Sequence, residues 1–223
     1  MRVFSNQQKF AFLALTGSFI CQPASAHVIV GELEKMSAGG AALLYLKLGY
    51  LHILPLGLDH ILFVLSLFLL NPRLKPILWQ ATAFTIAHSV TLGLAMYHLI
   101  TPPARMVEGL IALSILYVAL ENIFSPRLRK TRVGIVFLFG LVHGMGFAGA
   151  LGQLGLPSNA YLLSLVMFNI GVELGQMTII FAAFFLLGKR FGDKPWYRQR
   201  VVIPVSVSIA AIAAFWTVQR LFF

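Results

Sequence analysis

Charge is what this sequence has least of. Asp, Glu, Lys and Arg make up 11% of its 223 residues, against roughly 25% in soluble globular domains. Hydrophobic residues make up 59%, and the mean hydropathy is +0.86. A soluble domain is thereby excluded, and a single integral membrane domain is implied. No hydrophilic stretch is long enough to build a second domain. Cysteine is nearly absent too, with Cys21 standing alone. A disulfide framework and a thiolate-only metal site are excluded with it. No nucleotide-binding motif is present, so ATP hydrolysis by this chain is not expected. Acidic residues number 7 against 17 Lys and Arg. A nucleic-acid partner is excluded all the same, because most of the basic residues fall in three short connections between apolar segments.

The first residues read as a secretory signal peptide over 1–26. Arg2 and Lys9 form a positive start, "FAFLALTGSFI" (10–20) a short apolar core, and "ASA" (24–26) a small-residue cleavage site. Cys21 would leave with it, and "SFIC" lacks the small residue that precedes a lipidated Cys. Cleavage after Ala26 would make His27 the N-terminus, where its amine and imidazole could chelate a metal together.

Residues 27–223 read as an all-α polytopic membrane bundle of six spans. These are expected near 57–71, 76–98, 104–124, 133–152, 160–188 and 201–222. The stretch 39–56 reads as an interfacial or partly inserted helix that breaks at Pro55–Gly57. Broken helices at membrane depth normally line a cavity, because lipid cannot satisfy the freed backbone groups. The connections alternate in charge. "NPRLK" (71–75) has two basic residues, "SPRLRKTR" (125–132) four and "GKRFGDKPWYRQR" (188–200) five, whereas "HLITPPAR" (98–105) has one and "GQLGLPSN" (152–159) none. The positive-inside rule puts the three basic loops in the cytoplasm and both mature termini outside. The expected location is the inner membrane of a bacterium.

Ionisable residues within spans are costly and are functional candidates by default. Counted from the basic loops at about 1.5 Å per residue, Asp59, His60, His88, His143 and Glu173 all lie roughly 16–24 Å from the cytoplasmic edge. They come from four helices yet share one layer. Imidazoles and carboxylates at one depth suit a divalent transition metal such as nickel, cobalt, zinc or copper. Asn169, Glu173 and Gln176 form one polar stripe at i, i+4, i+7. His52 could join from the broken segment, and Glu108 could attract cations at the far end of its span. Glu121 is expected to pair with the basic loop beside it.

The motifs "GLDHILFVLSLFLL", "AFTIAHSVTLGLA", "VEGLIALSILYVALEN", "LVHGMGFAGAL" and "FNIGVELGQ" together resemble the HupE/UreJ family of small membrane permeases, associated with nickel supply to hydrogenase and urease. The resemblance covers about Gly49 to Leu187. It implies a six-span permease handling nickel or a related ion, with Asp59 and His60 matching the family's Asp-His pair. Two departures stand out. Six residues separate His52 from Asp59, where nickel-handling members have five. "FNIGVELGQ" also carries no His, unlike the fifth-span motif of those members. The chain looks like a second branch of the family.

The leading expectation is a transporter for a divalent metal as substrate, in the lipid bilayer, without enzyme activity. An intramembrane metal-dependent hydrolase with Glu173 as general base is the alternative. A non-transporting metallocentre assembly factor ranks last, because the short loops offer little surface to a soluble partner.

Overall fold

The computed structural model describes residues 36–223 apart from Arg127 and Lys130, so the expected signal segment and His27 lie outside the described residues. Within them every regular element is helical. Helix α1 (Ala38–Ile53) opens on Ser37, whose side chain accepts the Gly40 N–H at 3.2 Å. This satisfies one of the helix's free donors. The helix stops because a proline excludes the helical conformation from the residue before it. Leu54, ahead of Pro55, is extended at φ −126°, ψ 120°. Helix α2 (Leu58–Leu70) restarts at an angle of 67° to α1. Its 13 residues reach only about 20 Å, short of a bilayer core of about 30 Å. Only the bent pair together makes a candidate span.

Five further helices are each long and apolar enough to cross a membrane. They are α3 (Leu74–Met96), α4 (Ala104–Phe124), α5 (Arg132–Leu154), α6 (Tyr161–Ala183) and α7 (Ile203–Phe222). A 3₁₀ turn at Ser158–Ala160 leads into α6, and a wide turn at Phe184–Gly188 prolongs it. A similar turn at Arg198–Val202 leads into α7. The outside of the bundle is apolar, with Trp79, Ile86, Phe137, Phe185 and Phe215 exposed. Polar side chains such as His88, Asn122, Ser164 and Gln176 are buried.

The helices pack chiefly in pairs, α1 along α6, α3 along α5 and α4 along α7, while α2 lies mainly against α4 and α6. Small residues let the paired backbones approach. A Cβ on Gly144 of α5 would run into the His88 carbonyl oxygen of α3, and one on Gly49 of α1 into the Phe168 carbonyl oxygen of α6. Both glycines therefore press a histidine-bearing helix against its neighbour.

The two ends of the bundle differ. At the basic end, Arg198 donates to the carbonyls of Asn122, Ile123 and Ser125 at 2.8–3.2 Å, closing the C-terminus of α4 where cations are favoured. Glu121 meets Arg132, the last basic residue of its loop, at 3.5 Å, with both side chains buried. Arg132 also donates to Asn122 Oδ1 at 3.3 Å and to the Ser66 carbonyl at 3.4 Å. The opposite end is tied by Tyr161 Oη to the Met96 carbonyl at 2.8 Å, by Tyr45 Oη to the Gly155 carbonyl and by an ion pair of Arg220 with Asp59.

Candidate metal site

Four imidazoles from four helices meet inside the bundle. His52 lies in the last turn of α1 and His60 in the first turn of α2, on either side of the break. His88 comes from the middle of α3 and His143 from the middle of α5. The ring of His60 is central, with centroids 4.8 Å from His52, 5.1 Å from His143 and 6.1 Å from His88. His52, His60 and His88 each offer a nitrogen within 4.8 Å of the other two. Aromatic rings enclose the group. Phe84 lies against His60, His88 and His143, while Phe147 covers His52 at 3.9 Å.

The hydrogen bonds around two of these rings decide which nitrogen is free. His88 Nδ1 lies 3.1 Å from Asn169 Oδ1, and Asn169 Nδ2 donates to the Leu165 carbonyl at 2.8 Å. The amide oxygen is thereby turned to His88 and can only accept, so Nδ1 carries the proton. Nε2 keeps its lone pair. At His143 the roles of the two nitrogens are exchanged. Ser114 Oγ donates its one proton to the Ile111 carbonyl at 2.7 Å and therefore accepts from His143 Nε2 at 2.9 Å. Nδ1 keeps the lone pair there. Such outer partners are how proteins set the tautomer of a metal-binding imidazole.

The nitrogens left over have no partner. His52 Nε2, His60 Nε2, His88 Nε2 and His143 Nδ1 are all buried and lack a hydrogen bond among the described residues. Buried polar atoms are normally paired, and leaving one unpaired costs about 1–3 kcal/mol. Four at one place make the histidine cluster the candidate site. A metal held at about 2.1 Å by imidazoles brings their nitrogens to roughly 3–3.5 Å from one another. Donors within 4.8 Å of one another are somewhat wider apart than that.

Of the five residues expected in one layer, the three histidines come together and the two carboxylates do not join them. Asp59 follows the helix away from His60, since neighbours on a helix point about 100° apart. Its oxygens accept from Arg220 of α7 at 3.1 and 3.2 Å. Glu173 faces α3, where Thr82 Oγ1 donates to it at 2.9 Å and Thr85 Oγ1 also bonds it. It lines a mostly apolar cavity of about 450 Å³ between α3 and α6. Gln176 is buried and neither of its amide atoms has a partner among the described residues. Glu108 is exposed and lines a separate cavity of about 540 Å³ with Arg105, Gln219, Arg220 and Phe223. Ser114, Phe84, Phe147 and Arg220 were not candidates on sequence grounds. For Arg220 a signal existed, a cation in the last turn of an apolar span.

The helix ends at the break also matter. The C-terminus of α1 turns the negative end of its dipole toward the cluster, which favours a cation. The N-terminus of α2 turns its positive end the same way, and Asp59 in its first turn offsets that charge.

A family model described as HupE / UreJ protein matches residues 30–220. Searches of curated proteins and of solved structures return no match.

Proposed function

The chain belongs to the HupE/UreJ family, and on that premise we propose that it is a membrane permease for a divalent transition-metal ion, carried by the histidine cluster. The family is associated with nickel or cobalt transport or with urease and hydrogenase maturation. The observation that carries the reading is the set of four unpartnered buried imidazole nitrogens at the helix break. His52, His60 and His88 hold the ion and His143 is the fourth donor. Neutral imidazole suits nickel, cobalt, zinc and copper over magnesium or calcium, which prefer oxygen. The loose spacing of the donors suits an ion that must leave again. With the basic loops in the cytoplasm, the ion reaches the cluster from the end bearing Glu108 and leaves toward Arg132. The membrane is then the inner membrane of a bacterium.

A hydrolase would need a general base beside the metal. Glu173, the candidate for that role, is bonded to Thr82 and Thr85 instead, so transport is the better supported reading. Purified protein in liposomes, offered nickel, cobalt, zinc, copper and manganese in turn, tests it. Saturable uptake of one or more of the first four, lost in His60→Ala, is expected. Uptake equal to that of empty liposomes for every ion would refute the proposal.

A further inference from the structure

Three neutral imidazoles bring no charge to a dication, and a bare charge inside a bundle is costly. The carboxylate nearest in sequence is Asp59, beside His60. Arg220 already holds it. One guanidinium nitrogen meets both Asp59 oxygens at 3.1 and 3.2 Å, while another donates to the Glu108 carbonyl at 3.4 Å. The guanidinium also lies 5.1 Å over the Trp216 ring. The pair is 22% and 27% exposed and borders the cavity lined by Arg105, Glu108, Gln219, Arg220 and Phe223. Partly exposed ion pairs contribute little net stability, so this one can exchange partners readily. The buried Glu121–Arg132 pair at the basic end, 9% and 1% exposed, is not of this kind.

We propose that Arg220 is a built-in competitor for the transported cation: it neutralises Asp59 until a dication arrives, then releases the carboxylate, whose charge offsets that of the ion held at the neighbouring His60 from outside the ring of imidazoles. The exchange replaces one positive charge by two, so a dication gains from it and a monovalent ion does not. Asp59 and Arg220 would thus select the charge of the substrate, while the histidines select its chemistry. The inference rests on reading the histidine cluster as a cation site.

Nickel binding to full-length protein in detergent tests both, measured by calorimetry on the wild type, Arg220→Gln, Asp59→Asn and the double variant, with thermal unfolding recorded for each. Removing the competitor should tighten nickel binding in Arg220→Gln by about tenfold, a usual size for coupling between sites. Asp59→Asn should weaken it. In the Asp59→Asn background, Arg220→Gln should then change affinity by less than about twofold, within ordinary additivity. Equal tightening in both backgrounds would show Arg220 acting only by long-range repulsion and would overturn the proposal. Unchanged or weaker binding in an Arg220→Gln protein with wild-type unfolding would overturn it too. Failure of the wild type to bind nickel, cobalt or zinc would remove the histidine reading itself.

Discussion

His88 and Asn169 form a pair in which the asparagine, anchored by its own bond to the Leu165 carbonyl, accepts the Nδ1 proton and leaves Nε2 bare inside the bundle. The ring orientation and tautomer of His88 are thus set from a neighbouring helix. Asn169→Ala should lower metal affinity by about 10–100-fold, the usual loss for an outer partner of a metal-binding imidazole. Ser114→Ala should act in the same direction through His143. Calorimetric titration with zinc or nickel, beside thermal unfolding, separates this from a general loss of structure.

The contrast between His60 and Glu173 is the sharpest mutational test of the site. His60→Ala removes the central ring and should abolish metal binding. Glu173→Gln keeps the shape and an acceptor for one of the two threonines, and leaves the four imidazoles in place. Its affinity should stay within about threefold of wild type, less than the 10–100-fold expected from loss of an outer metal partner. Equilibrium dialysis with radioactive nickel or cobalt measures both.

How much of this could be read beforehand follows from helix geometry. The all-helical class was legible, and of the six spans expected five are single long helices, because long apolar segments alternate with short polar connections; the sixth, expected at 57–71, is a candidate span only together with α1. The common depth of His60, His88 and His143 was legible as well, since rise per residue converts a count from the basic loops into a height. Direction around the axis was not. Asp59 and Glu173 fall at that height by the same count but face Arg220 and the α3 threonines. His52 was placed only as an accessory because Pro55 breaks the count between it and Asp59. Across a 67° bend sequence spacing no longer measures distance, and the extra residue in that interval does not keep His52 from His60.

Close helix approach at Gly144 supplies a stability test. Gly144→Leu drives a side chain into the His88 carbonyl and Thr91 Oγ1, and overpacking of this kind costs about 1–3 kcal/mol or more. Gly149→Ala, where an added Cβ meets nothing within 4 Å, should change stability by no more than about 1 kcal/mol. Thermal midpoints in one detergent, with wild type alongside, compare the two.

Glu121 and Arg132 should behave as a buried pair. Glu121→Gln leaves the guanidinium uncompensated and should destabilise by about 3–5 kcal/mol, whereas replacing both residues with apolar ones of similar volume should cost much less. Chemical unfolding of the single and double variants reads the difference. Equal losses would mean that the hydrogen bonds of Arg132 to Asn122 and Ser66, and not the ion pair, stabilise this end.

The central claim is that an ion is held by the imidazoles at the helix break. X-ray absorption at the metal edge of full-length protein loaded with one equivalent of zinc or nickel tests it most directly. The account predicts at least three histidine nitrogens at about 2.0–2.1 Å and no sulfur, with the imidazole scattering lost in His60→Ala. A shell of oxygen alone, or an unchanged spectrum in His60→Ala, would contradict it.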